Sequence, residues 1–282
     1  MTSELDPDRI DCHIHAGLER RESLEFAFGI LKHDHREIVG LLDHAELYME
    51  SPPTWADIAL IESAQRLDEP SLVDLFRKRL RGPGVFYRQV RDAISAYGAG
   101  MKCAVALEIN GANLDGLDPG WLDGADYLGI CTTQPSGETP WGEHMAKLIA
   151  SADKLRGARD MTIVLHHPFR WRLLELAASS LVDPPLAAGF TPEDARVTAR
   201  ALSDAGAVAE VNYASYYHLK RFPSLVVAAR DAFQVLKNAG AKFSLGSDAH
   251  WLSSTNFEYE PRTALSEFGV DVEDLRLPDA FS

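Results

Sequence analysis

Basic side chains are in short supply in this chain: 28 Lys and Arg stand against 42 Asp and Glu, a formal charge of -14. A surplus of that sign repels a polyphosphate backbone and argues against nucleic acid as a bulk partner. Cysteine is scarcer still. Cys12, Cys103 and Cys131 are the only three in 282 residues, and no two form a CxxC pair. Neither a disulfide framework nor a thiolate zinc knuckle follows from such spacing, so the three read as thiols packed in or beside apolar runs. No apolar run approaches the roughly 20 residues of a membrane span. The amino terminus, MTSELDPDRID, has no basic stretch followed by an apolar core. A soluble, cytoplasmic protein without membrane contact is expected. Two motifs are also missing: a glycine-rich phosphate fingerprint after the first apolar run, and a nucleophile-elbow serine. The first absence weakens a dinucleotide-binding reading and the second gives covalent catalysis no support.

What is present is ordinary globular material, 46% hydrophobic and 25% charged, enough for a sizeable core. Seven short runs rich in Val, Ile and Leu recur near 9–14, 37–43, 101–108, 125–131, 161–166, 207–212 and 241–246. Amphipathic stretches separate them, among them EHMAKLIASADKLRG, TPEDARVTARALSDAG and SLVVAARDAFQVLKNAG, the last two stopping at Ala-Gly. Strand and helix alternating in this way imply parallel pairing, because parallel strands need long crossovers. Unbroken apolar character within the runs implies strands covered on both faces, as in a barrel or a doubly wound sheet. A single domain over 1–282 is expected, with a helical insertion at about 48–100 after the second strand. The loop at 132–142, rich in Pro, Gly and Thr, is a candidate cover for a site.

The carboxyl ends of the strands are where barrels of this class carry chemistry. Here they carry Asp11, His13 and His15; Asp43 and His44; Glu108; His166 and His167; Glu210 and Asn212; and Asp248 and His250. Six of the ten histidines fall at these ends. Imidazole and carboxylate together suit zinc, manganese or iron, and a carboxylate can bridge two ions. In HxH on a strand, alternate side chains share a face, so His13 and His15 can grip one ion together. Asp248 and His250 repeat that spacing. The same alternation points His166 away from the ions, into a packed or supporting role. Asp11 and Asp43 are expected to orient neighbouring imidazoles.

DxHxH near the amino terminus, DH after the second strand, a Glu ending the third, HP after the fifth, ExN after the sixth and GSDAH after the seventh resemble the polymerase and histidinol phosphatase (PHP) family of metal-dependent phosphoesterases. The likeness runs from about residue 9 to 252. It implies an α/β fold, a distorted seven-stranded parallel (β/α)7 barrel of TIM-like form, and two or three divalent ions that activate water against a phosphate ester. By this resemblance His13, His15, Glu108 and Asp248 hold a first ion, Glu108 and His167 a second, and His44 and His250 a third. Two family histidines are missing. One position a few residues after HxH offers only Glu19 or Glu22, and the one after the fourth strand reads CTTQ, with Thr132 or Thr133. The second and third sites are therefore each expected to be one ligand short.

Lesser candidates complete the reading. Arg170 is the first choice for holding phosphoryl oxygens, with Arg20, Arg21 and Lys220 behind it. His44 or His250, without an ion, is placed to protonate a leaving oxygen. His144 is a substitute ligand or an exposed loop residue, His218 a lone candidate, and His33 and His35 are assigned to solvent at the far end of the barrel. The expected partner is a small phosphate ester such as histidinol phosphate, a cyclic or nucleotide phosphodiester remaining open along with the oligomeric state. An amidohydrolase-like hydrolase and a barrel that binds metal or a phosphorylated ligand without turnover are the alternatives.

Overall fold

The computed structural model describes residues 5–17, 23–48, 82–132, 139–169, 191–250 and 260–281. All seven apolar runs are strands, each within two residues of its expected limits: β1 Ile10–His15, β2 Ile38–His44, β3 Lys102–Asn110, β4 Tyr127–Cys131, β5 Thr162–His166, β6 Val208–Asn212 and β7 Phe243–Gly246. They form one sheet in the order of the sequence, every neighbouring pair parallel. A parallel bridge between Ile14 and Ala249 brings the last strand's exit back to β1, with His15 N donating to Ala249 O and Asp248 N to His13 O, both at 2.8 Å. The sheet is thus a nearly closed, TIM-like barrel of alternating strands and helices.

The helices start and stop where side chains satisfy their ends. In α1 (Leu24–His33) the Ser23 side chain accepts from Phe26 N. In α4 (Pro192–Asp204) Thr191 and Asp194 close a capping box around Pro192. The elements α2 (Gly84–Tyr97), α3 (Trp141–Arg156), α5 (Tyr213–Leu219), α6 (Pro223–Asn238) and α7 (Pro261–Phe268) complete the set used below. Phe28 and Leu31 of α1 and Phe86 and Val90 of α2 pack with Ile14, Val39, Leu41 and Val105 from the first three strands. Of the expected insertion, α2 is helical, and residues 49–81 lie outside the described part of the chain. The cover loop is likewise described only at its ends, Thr132 and residues from 139 onward.

Every residue of β1, β4, β5, β6 and β7 is buried. This explains the lack of apolar alternation, and it means that Asp11, His13, His15, His166, Glu210 and Asn212 sit in the interior, where each polar group needs a partner. Among the described residues no helix is long and apolar enough to cross a membrane.

Candidate metal centre

The polar interior begins at β1. Its pairing with β2 slips between Asp11 and Ile14. Next to the slip, the His13 amide donates to Asp11 Oδ1 at 3.2 Å, and Ser247 N donates to the same oxygen at 2.9 Å. Asp11 therefore secures backbone on both sides of the closure, where orientation of an imidazole was expected. The local slip, which leaves amides to be satisfied, is the physical reason. Burial raises the Asp11 pKa, and Arg36 opposes the rise.

Past the slip, His13 and His15 point to one place. Their Nε2 atoms are 3.3 Å apart, and Asp248 Oδ1 lies 3.1 Å from His15 Nε2 and 3.4 Å from His13 Nε2. Glu108 adds Oε1 at 3.6 Å from His13 Nε2 and Oε2 at 3.5 Å from His15 Nε2. His13, His15 and Asp248, from β1 and the β7 exit, thus present one donor atom each with edges of 3.1–3.4 Å, and Glu108 on β3 stands beside them with a different oxygen toward each imidazole. A tetrahedral zinc site with ligand bonds of about 2.0–2.1 Å has edges of about 3.3–3.4 Å, so the donor set fits a cation of that size. Asp248 reaches this point with a left-handed backbone, φ 59°, a strained conformation of the kind retained at functional sites.

The charge balance has the same sense. Burial opposes a charge on His13, but the Glu210 and Glu108 carboxylates outweigh it and push its pKa up to about 10. Burial would raise Glu210 and Glu108, yet the surrounding imidazoles dominate. Glu210 falls to about 2 and Glu108 well below the carboxylate range. Carboxylates and imidazoles packed this closely call for positive charge, which a proton or a metal ion can supply.

Supporting bonds fix the ligands. Glu210 Oε1 takes the outer nitrogen of His13, Nδ1, at 2.8 Å, and its Oε2 accepts from His167 N at 2.8 Å and from Asn212 Nδ2 at 3.2 Å. Asn212 Oδ1 also caps α5 through Ser215 N and Oγ, both at 2.8 Å. Asp43 accepts from the Tyr48 hydroxyl at 2.5 Å, anchoring the turn after β2.

His166 does not point away. Its Nδ1 is 2.6 Å from Glu108 Oε1, and its ring stacks on His13 with centroids 3.9 Å apart. Gly129, the residue beside Glu108 on β4, leaves the room: a Cβ there would strike the His166 ring. The next residue, His167, has φ 29° and also reaches inward, its Nε2 3.7 Å from Glu108 Oε1 and 3.6 Å from Cys131 Sγ. The alternation rule fails here because the strand ends at His166 and the left-handed residue after it re-aims the chain. His166 Nε2 is buried and makes no hydrogen bond, the kind of donor atom a cation satisfies, while Glu108 Oε2 pairs with imidazoles alone, His44 Nδ1 at 3.2 Å and His15 Nε2 at 3.5 Å.

Among the described residues, four groups of three side chains could each hold an ion: His13, His15 and Asp248; His13, Glu108 and His166; Glu108, Cys131 and His167; and His15, His44 and His250. His44 and His250 stand at the rim, 23% and 31% exposed, with ring centroids 6.1 Å apart. His144 lies edge-on to Trp141 and His218 beside Tyr217, and neither joins a group. His33 is 81% exposed, while His35 occupies the turn after α1 with φ 57°. Lys220 Nζ lies over the Tyr217 ring. Thr132 donates to His167 O at 3.3 Å, so it supports that histidine's backbone. Arg170, Arg20, Arg21, Glu19, Glu22 and Thr133 lie outside the described residues. Cys131, expected as a packed thiol, is buried, and Glu210, expected only as a strand-end residue, takes part in the hydrogen bonding around His13 and His167.

Neither a protein-family profile nor a curated protein matches the chain. Solved structures do. A histidinol phosphate phosphatase from Lactococcus lactis subsp. lactis Il1403, complexed with zinc, L-histidinol and phosphate, superposes with a TM-score of 0.51 over 94% of this chain and 95% of its own, at 12% identity. The chain has the fold of that phosphatase. The expected seven-stranded barrel is thus a fold shared with that phosphatase across nearly the whole length. At 12% identity the phosphatase supports the barrel and its seven strands, and chemistry has to be argued from the side chains.

Proposed function

We propose that the chain is a metal-dependent phosphoesterase acting on a small phosphate ester, with His13, His15, Glu108 and Asp248 holding a first ion and Glu108 and His167 contributing to a second. The observation that carries this reading is the convergence of His13, His15 and Asp248 with edges of 3.1–3.4 Å, beside the buried Glu108 carboxylate. Support also comes from a phosphatase of the same fold that was complexed with zinc, histidinol and phosphate. Bound ions would supply Lewis acidity toward the phosphoryl oxygens and bring the pKa of water to about 7. The chain's own residues do the rest. Glu210 locks the tautomer and ring of His13 through Nδ1, His166 holds Glu108 Oε1, and buried β-strand walls exclude bulk solvent. His250, whose Nδ1 donates to Asp248 O at 3.1 Å, presents Nε2 for transfer of a proton to the leaving oxygen, with His44 as the second rim imidazole. Arg170 is proposed to hold the phosphoryl oxygens.

The test is a screen of phosphate esters, L-histidinol phosphate among them, with protein reconstituted in zinc, manganese or iron, against dipeptides and lactams as the competing substrate class. Phosphate release that disappears in Asp248→Ala is expected. Turnover that survives that substitution would remove the assignment, and metal-dependent thermal stabilisation by phosphate without product would point to a binding module.

A further inference from the structure

We infer that Cys131 is a metal ligand, its thiolate standing at the second ion's position where family members carry a histidine after the fourth strand. The inference rests on the metal-binding reading above and adds a sulfur donor to it. Cys131 ends β4 and pairs in register with His166, which faces the interior. Gly129, two residues earlier on the same strand face, abuts the His166 ring, so the β4 side chains at 129 and 131 both address the polar interior. Cys131 is only 6% exposed, and its sulfur forms a triad with Glu108 and His167, one donor atom from each lying within 4.8 Å of the others.

The spacing of the Cys131–His167 hydrogen-bonded pair also suits a shared ion. With Zn–S of about 2.3 Å and Zn–N of about 2.0–2.1 Å at a tetrahedral angle, sulfur and nitrogen ligands stand about 3.6 Å apart. Cys131 Sγ and His167 Nε2 are 3.6 Å apart. Glu108, fully buried, turns its other oxygen, Oε1, to the same place, 3.7 Å from His167 Nε2. On binding, the thiol gives its proton to solvent and the sulfur lone pair goes to the ion, so no oxidant or reductant enters. A thiolate also changes what the position selects: sulfur favours zinc or cobalt over manganese, which oxygen and nitrogen donors accept more evenly.

The full chain, stripped of metal and titrated with Co(II), provides the test. Binding of two equivalents, with a near-ultraviolet sulfur-to-cobalt charge-transfer absorption growing with one of them, is expected. Cys131→Ser should abolish that absorption and weaken one equivalent more than about tenfold, since even partners one shell further out cost 10- to 100-fold. Cys131→His should keep both equivalents without the absorption, showing that the variant is folded and that the position accepts a ligand. Cys12→Ala and Cys103→Ala should retain it. Two bound equivalents without the sulfur absorption, or an absorption that persists in Cys131→Ser, overturns the role of Cys131 alone. No cobalt bound at all overturns the metal reading with it.

Discussion

Glu210 on β6 reaches across the barrel to His13 on β1, its Oε1 2.8 Å from His13 Nδ1, while its other oxygen takes the His167 amide. One carboxylate therefore fixes two candidate ligands that are 154 residues apart in sequence (167 minus 13). Glu210→Gln keeps the shape and removes the charge. Metal affinity, measured by competition with a chelator, should fall by about 10- to 100-fold with the fold retained. An unchanged affinity would mean that His13 needs no orienting partner.

His13 gives a pH signature. Burial opposes its charge, but Glu210 and Glu108 raise its pKa from 6.5 to about 10. In metal-free protein this coupling stabilises the fold fully below pH 6.5, and the contribution is lost as pH rises toward 10. An ion binding through Nε2 has to displace that proton. Uptake of the first ion at pH 7 to 8 should release a proton, and its apparent affinity should rise about tenfold per pH unit. Titration calorimetry in buffers of different ionisation heat reads the proton directly. Uptake with no release would contradict the charge state assigned to His13.

Gly129→Ala tests the packing of the interior. The new methyl would meet the His166 ring, which is held between Glu108 and the face of His13. Overpacking of this kind costs about 1–3 kcal/mol. A lowered Tm accompanied by reduced metal content is expected, and a variant matching the parent in both would show that His166 is free to move.

Gly29→Ala is the opposite case. The residue lies within α1 (Leu24–His33), with nothing within 4 Å of an added Cβ. Replacing a helical glycine should stabilise the protein by about 0.5–1 kcal/mol, seen as a raised denaturation midpoint with metal binding unchanged.

Much of the fold was legible because fully buried parallel strands write themselves as short unbroken apolar runs, and all seven runs became strands. The candidate site was legible through its chemistry: His13, His15, His44, Glu108, His167, Asp248 and His250 meet at one end of the barrel as their strand-end positions imply. The direction of His166 was not legible. It depends on where β5 stops and on the positive φ of His167, neither of which leaves a trace in residue spacing. Cys131 was expected as a packed thiol and is buried, and its 3.6 Å approach to His167 Nε2 arises from the pairing of β4 with β5, which spacing within one run does not record. The role of Asp11 depended on a slip in strand register, which arises from pairing between chain segments and not from either segment alone.

The closure of the barrel has a mechanical consequence. β7 meets β1 through a short seam, whose bonds gather at His13 O, His15 N and the Ser247–Ala249 turn. The proposed first ion would be held by His13 and His15 on one side of that seam and by Asp248 on the other. Such a cation would also be a rivet, fastening the first strand to the last where backbone stitching is thinnest. Stripping it should loosen the cylinder along this line before any other, with amide exchange at His15 and Asp248 speeding up ahead of the strand interiors of β3 and β4.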